Sequence, residues 1–182
     1  MEGISDKTLE VHFGLYEGYV KNVNLLNERL ASLRASDQAK GADPSYAELV
    51  RRLGFEYNGM RLHEYYFDNM TAKPKPIGSG KLQDALGAAF GSFDAWKKDF
   101  AAVAGMRGIG WAIAYRDPDT ARITNHWIGD HEIGHPAGFA PIVVLDVWEH
   151  AFMLDYKPSE KAKYVEAFLA NVDWEACESR LT

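Results

Sequence analysis

Apolar residues recur every three or four positions through the first third of the chain, which is the spacing of amphipathic helices. They predict a long helix over residues 6–33, a short helix over 46–53 and a second long helix over 56–70. The stretch 35–44 is polar and carries glycine and proline, so it predicts a turn. We therefore expect an α-helical hairpin at the N-terminus.

The pattern changes after the segment TAKPKPIGSG, where proline, glycine and serine disfavour regular structure. Beyond it the sequence predicts helices over 82–90, 93–103, 159–172 and 174–181, and strands over 108–115, 122–126 and 141–145. We expect an α+β fold. It comprises a helical hairpin domain (1–72), a linker (73–80), and a mixed α/β domain (81–182) with helices and a three-stranded antiparallel sheet.

Composition narrows the classes of function. The chain has 182 residues, and 47% hydrophobic content indicates a folded globular protein. A net charge of -6 argues against nucleic-acid and anionic-membrane partners and requires local attraction for an anionic substrate. Cys177 is the single cysteine, so no intramolecular disulfide framework exists and a reducing compartment is favoured. The N-terminus is polar and no apolar run approaches membrane-spanning length, so we expect no signal peptide and a cytoplasmic location.

The residues with the most informative chemistry are three histidines and one aspartate. Asp146 directly follows the predicted strand 141–145, where a buried charge is costly unless it is paired or binds a metal. His150 lies four residues further on, and His12 and His63 each lie on the patterned face of a long helix. Three imidazoles and one carboxylate suit a first-row metal, and the carboxylate favours iron or manganese.

Around these residues the sequence resembles the iron/manganese superoxide dismutases, over nearly its whole length. The most specific segment is DVWEHA at 146–151, and further similar segments are EVHFG at 10–14, HEYYF at 63–67, AFGSF at 89–93, GIGW at 108–111 and VDW at 172–174. The resemblance implies one iron or manganese ion per subunit, with a solvent molecule as fifth ligand and His12, His63, Asp146 and His150 as the others. It also implies dismutation of superoxide to oxygen and hydrogen peroxide by alternating reduction and oxidation of the metal.

The resemblance further implies an aromatic cage around the metal and an assembly of subunits. Trp111, Trp148 and Phe67 are the candidate cage residues. Glu149 is implied to pair with His150 of the partner subunit in a homodimer, or in a tetramer built from such pairs. Second-shell groups of this kind orient the ligands and tune the metal.

In the family a glutamine or histidine touches the solvent molecule, and the matching positions here are Gly59 and His126. We therefore expect His126 to tune the site without binding the metal, which leaves iron versus manganese open. We expect His126→Ala to keep the metal but to change the pH dependence of dismutation.

Two departures from the family pattern concern catalysis. The family's gate tyrosine lies eight residues after the first ligand, whereas Tyr19 lies seven after His12. Seven residues of a regular helix return to almost the same face, about 20° away, so Tyr19 is expected to face the metal if the family helix carries a bulge that this chain lacks. Glu160 replaces the family's anion-guiding arginine. A dismutase-like metal-binding protein with weak or altered catalysis therefore stays open as the alternative.

A competing motif lies at residues 131–135, where HEIGH fits the His-Glu-x-x-His pattern of zinc peptidases. That chemistry needs a helix, but Gly134 lies within the motif and Pro136 follows it at once. The simpler interpretation is a histidine-bearing surface loop. On that interpretation we expect His131→Ala and His135→Ala to leave metal content and activity nearly unchanged.

Overall fold

A computed structural model describes residues 1–181; Thr182, the last residue of the predicted α/β domain, lies outside the described residues. Two long helices, α1 (Asp6–Ala35) and α2 (Pro44–Asp68), form the N-terminal hairpin. The Ser5 side chain caps α1 and the Asp43 side chain caps α2, each accepting backbone N–H bonds from the first turn. The predicted helices 46–53 and 56–70 form one helix, because Gly54 costs only about 1 kcal/mol within a helix and no proline interrupts it.

The second half confirms the α+β prediction. It contains α3 (Lys81–Phe90), α4 (Phe93–Ala104), β1 (Gly110–Arg116), β2 (Ile123–Gly129), β3 (Ala140–Asp146), α5 (Lys161–Ala170) and α6 (Trp174–Glu178). The three strands form an antiparallel sheet in the order β2-β1-β3, so β1 is central. In this register Trp111 of β1 lies opposite Asp146, the last residue of β3. The sheet therefore places an indole beside the candidate aspartate ligand.

Buried polar side chains fix the end of β3 against the helices. The Asn69 side-chain amide donates to the Val144 carbonyl at 2.7 Å, and the Tyr164 hydroxyl donates to the Asp146 carbonyl at 2.8 Å. The Tyr66 and Tyr164 hydroxyls are 3.0 Å apart, and both rings are fully buried. The last residues of β3 are therefore held by α5 and by the C-terminal end of α2.

The helical hairpin and the sheet share one core. Leu62 and Tyr66 of α2 belong to the same buried apolar cluster as the three strands. The division into two domains and a linker therefore stays a prediction. The cytoplasmic location also stays a prediction. Over residues 1–181, every helix is too short or too polar to span a bilayer.

Candidate metal centre

The structure brings the four predicted ligands together from four separate elements. His12 lies on α1, His63 on α2, Asp146 at the end of β3 and His150 on a short 3-10 turn that follows. One donor atom from each lies within 4.8 Å of the others, and His12, His63 and Asp146 are fully buried. Two donors that each lie about 2.1 Å from one ion can be up to about 4.2 Å apart. The cluster is therefore close to the size of a filled coordination shell.

Asp146 is the centre of this cluster. Its Oδ2 atom lies 3.1 Å from His12 Nε2, 3.2 Å from His150 Nε2 and 3.6 Å from His63 Nε2. Its Oδ1 atom accepts the Trp148 backbone N–H at 2.8 Å. Burial alone would raise the pKa of Asp146, but the neighbouring His150 and His12 rings outweigh it and hold that pKa well below its usual range. The carboxylate is therefore ionised and fixed in orientation.

His63 supplies the strongest test of whether these residues fit a metal. Its Nδ1 atom is 2.6 Å from the Gly59 carbonyl, which can only accept, so Nδ1 carries the proton and Nε2 presents a lone pair. Burial lowers the pKa of His63 to about 4, which keeps the ring neutral. Nε2 is buried without a hydrogen-bond partner in the described chain and faces the Asp146 carboxylate. A lone pair facing an anion is repulsive unless a cation lies between them, so the donor set fits a bound metal ion.

A fourth histidine, His131, lies beside the cluster although the sequence predicted a surface loop there. It is fully buried, and its Nδ1 accepts the Trp111 indole N–H at 2.9 Å. An indole only donates, so the His131 proton is on Nε2, which donates to the Tyr19 hydroxyl oxygen at 2.7 Å. Burial lowers the pKa of His131 to about 4. The ring is therefore neutral, with one nitrogen accepting and the other donating.

Tyr19 lies on α1, seven residues after His12, with its ring beside the cluster. Its ring lies 5.1 Å from the His63 ring, between centroids. Burial, with Asp146 and Glu56 adding negative charge, raises the pKa of Tyr19 to about 12. The phenol is therefore protonated, and because its oxygen accepts from His131, its own proton stays available for donation.

The prediction for His126 is corrected by the structure. His126 lies on β2, where its Nε2 is 2.8 Å from the Thr124 hydroxyl and its ring packs on Tyr115 at 5.5 Å. It does not reach the cluster. After β2 the chain turns back at Gly129, whose N–H donates to the Ile133 carbonyl, and this turn carries His131 inward. The position beside Tyr19 therefore belongs to His131.

Gly59 is the other position that matches the family's solvent-contacting residue, and it cannot supply that side chain either. A Cβ atom there would lie 2.6 Å from the Tyr19 ring. The space on the α2 side of the site is thus filled by Tyr19, and the loop after β2 supplies the imidazole instead.

The structure also corrects the interpretation of residues 131–135 as a plain surface loop, and it does not support the zinc-peptidase alternative. The segment is a turn rather than a helix. His131 points to Tyr19 and Trp111, whereas His135 has separate partners, with its Nδ1 2.7 Å from the Tyr115 hydroxyl and its Nε2 2.9 Å from the His131 carbonyl. The two rings therefore do not converge on one ion as that chemistry requires.

Aromatic rings enclose the ligands. Each predicted cage residue packs on an imidazole, with centroid distances of 5.0 Å for Trp111 on His63, 5.0 Å for Trp148 on His131 and 5.1 Å for Phe67 on His12. Tyr66 also lies 5.0 Å from His12, a contact that the sequence analysis missed. Glu149 is exposed beside this enclosure, on the turn that carries His150. These rings limit the access of water to the ligands that they cover.

The fold and the cluster together define a candidate metalloprotein whose three histidines and one aspartate lie between a helical hairpin and a small sheet. Residues 78–180 match the family model described as iron/manganese superoxide dismutases, C-terminal domain. The chain belongs to this family, which confirms the resemblance seen in the sequence.

Relatives support the same assignment over nearly the full chain. A protein named superoxide dismutase (Fe) from Aquifex pyrophilus is 33% identical over 99% of this chain and 85% of its own length. Another superoxide dismutase (Fe), from Saccharolobus solfataricus, is 35% identical over 98% and 85%. A superoxide dismutase (Mn) 2 from Haloferax volcanii is 34% identical over 97% and 86%. Relatives of similar identity therefore carry both metal names.

Proposed function

We propose that the protein is a superoxide dismutase, which converts superoxide to oxygen and hydrogen peroxide with one iron or manganese ion per subunit. His12, His63, Asp146 and His150 would hold the ion. The observation that carries this proposal is the unpartnered His63 lone pair, which faces the Asp146 carboxylate inside a buried cluster. Family membership supplies the reaction class.

The bound ion would supply single-electron redox chemistry, oxidising one superoxide and reducing the next. The protein's part is to keep the donor geometry the same for both oxidation states. The Trp148 N–H fixes the Asp146 carboxylate, and the Gly59 carbonyl fixes the His63 ring. Such outer hydrogen bonds set ligand orientation and basicity.

Formation of hydrogen peroxide also consumes protons beside the ligands. Tyr19 is a neutral phenol whose oxygen already accepts the His131 N–H. Its own O–H is therefore free to donate to a reduced, anionic oxygen species in the enclosure. The neutral His131 ring orients that phenol, because Trp111 fixes which of its two nitrogens carries the proton.

One observation favours the alternative of a dismutase-like protein with weak catalysis. Glu160 is engaged with Lys163 at 2.7 Å and with the Lys157 backbone N–H at 3.1 Å, so it offers no positive charge to an anionic substrate. A chain with a net charge of -6 would then draw superoxide weakly.

Activity per bound metal separates these two functions. We expect protein loaded with iron or with manganese to bind one ion per chain, and at least one form to give dismutation proportional to its metal content. Metal analysis and a superoxide-decay assay on the same samples measure both quantities, and they also decide between the metals. A fully loaded protein no faster than the free ion, with both metals, would support the alternative.

We also propose a homodimer formed through the segment that carries Glu149 and His150. Met153 and Leu154 follow that segment and are 47% and 57% exposed, so two adjacent large apolar side chains face solvent beside it. A two-fold contact would let Glu149 of each subunit reach His150 of the partner subunit and orient it.

Sedimentation of the metal-loaded protein at micromolar concentration tests this assembly. We expect a dimer, and we expect Leu154→Glu to shift it to monomer because a charge would be buried in the contact. Leu25→Glu is the matched control, since Leu25 is 41% exposed on the helical hairpin. A metallated parent that sediments as a monomer, or equal dissociation by both variants, would contradict the proposed interface.

A further inference from the structure

His131 is held in the site by a turn, not by a helix or strand. The turn between β2 and β3 is closed by the Gly129 N–H, which donates to the Ile133 carbonyl at 2.8 Å. Gly134 has a φ of +109°, and a Cβ atom there would lie 2.6 Å from the Trp127 carbonyl oxygen. A side chain that must meet two partners at hydrogen-bond distance needs firmer support than such a turn gives alone.

His135 supplies that support. Its Nε2 lies 2.9 Å from the backbone carbonyl of His131, and its Nδ1 lies 2.7 Å from the Tyr115 hydroxyl. A carbonyl only accepts, so Nε2 carries the proton, and in the neutral ring Nδ1 accepts from the Tyr115 O–H. Both ring nitrogens of His135 are thereby used within the protein.

Tyr115 is a rigid anchor for this contact. It is 4% exposed and lies on β1, the central strand of the sheet. Burial raises the pKa of Tyr115 far above its usual value, so the hydroxyl keeps its proton as a donor. Trp111, which donates to the His131 side chain, lies on the same strand. One strand thus holds His131 twice, through its ring by Trp111 and through its backbone by Tyr115 and His135.

We propose that His135 is a positioning residue for the dismutation reaction, clamping the turn so that the His131 ring meets Trp111 and Tyr19 together. This inference rests on the proposed function for its consequence in catalysis, but the clamp itself is a property of the protein without metal. Without His135, the carbonyl of His131 and the Tyr115 hydroxyl lose their shared partner. The His131 ring would then leave its hydrogen-bonded position for part of the time.

Solvent exchange of the Trp111 indole N–H, followed by NMR on metal-free protein, tests the clamp directly. We expect His135→Ala to raise this exchange rate at least about tenfold, because the N–H loses its fixed acceptor. In loaded protein we expect activity per metal ion to fall about tenfold, a common size for changes to groups around a metal site. His135→Gln should restore both values, since its amide can donate to the His131 carbonyl and accept from Tyr115.

His126→Ala is the matched control, because His126 also packs on the Tyr115 ring but does not contact His131. It should leave exchange and activity as in the parent. Parent-like exchange in His135→Ala, or an equal change in His126→Ala, would overturn the proposal. If His135→Ala does not fold, Tyr115→Phe decides, since it removes only the hydroxyl and should also speed exchange. If the loaded parent lacks dismutase activity, the proposed function fails, whereas the exchange measurement still decides the clamp.

Discussion

Replacing Asp146 with alanine is expected to abolish stoichiometric binding of iron or manganese. Asp146 is the only anionic donor of the cluster, and its Oδ2 lies within 3.6 Å of a nitrogen on each of three imidazoles. Its loss would leave three neutral donors around a dication or trication. Metal content per chain, measured after exhaustive dialysis of refolded and loaded protein, checks this result.

Asp155→Ala is the control for a general effect of losing a carboxylate. Asp155 accepts the Ser5 backbone N–H at 2.9 Å and the Thr8 hydroxyl at 2.7 Å, near the start of α1. Its removal should lower the free energy of unfolding by about 1–3 kcal/mol and leave metal content at one ion per chain. Added metal should raise the melting temperature of this control but not that of Asp146→Ala, because only a ligand bound by the folded state stabilises it. Full metal occupancy in Asp146→Ala would refute its assignment as a ligand.

Most helices and strands could be predicted from the local sequence pattern, because they have strong hydrophobic periodicity and clear terminating residues. The main difference is α2, where the sequence predicted two helices and the structure has one, because Gly54 costs little within a helix. The ligand set could not be predicted from local pattern in the same way. His12, His63 and Asp146 are far apart in sequence, so no spacing rule joins them, and only the resemblance to a family predicted that they meet.

The histidine that contacts Tyr19 beside the ligand cluster could not be located from the sequence. Gly134 and Pro136 correctly excluded a helix over residues 131–135, but they permit the tight turn that brings His131 inside. Its ring is held by Trp111 and Tyr19, which are distant in sequence and lie on other elements. The match to the family pattern favoured His126, whose side chain lies on β2 and bonds to Thr124 instead. A histidine pair four residues apart in a loop was the one visible signal.

The largest expected effect on catalysis follows from the finding that His131, rather than His126, lies beside Tyr19. We expect His131→Ala to keep one metal ion per chain, since His131 is not among the four clustered donors. Its activity per metal ion should fall about 10–100-fold, because the Tyr19 phenol loses the N–H that orients it. The visible spectrum of the oxidised metal should also shift. His131→Gln should recover most of the activity, since an amide can accept the Trp111 indole N–H and donate to Tyr19.

His126→Ala is the matched control for His131→Ala. His126 lies within β2 and His131 two residues after it, but only His131 contacts Tyr19 and Trp111. We expect His126→Ala to match the parent in metal content, spectrum and activity. The reverse outcome, with activity lost in His126→Ala and kept in His131→Ala, would restore the expectation that His126 tunes the site. Loss of the metal itself in His131→Ala would mean that His131 is a ligand, and the role of residues 131–135 in metal binding would have to be reopened.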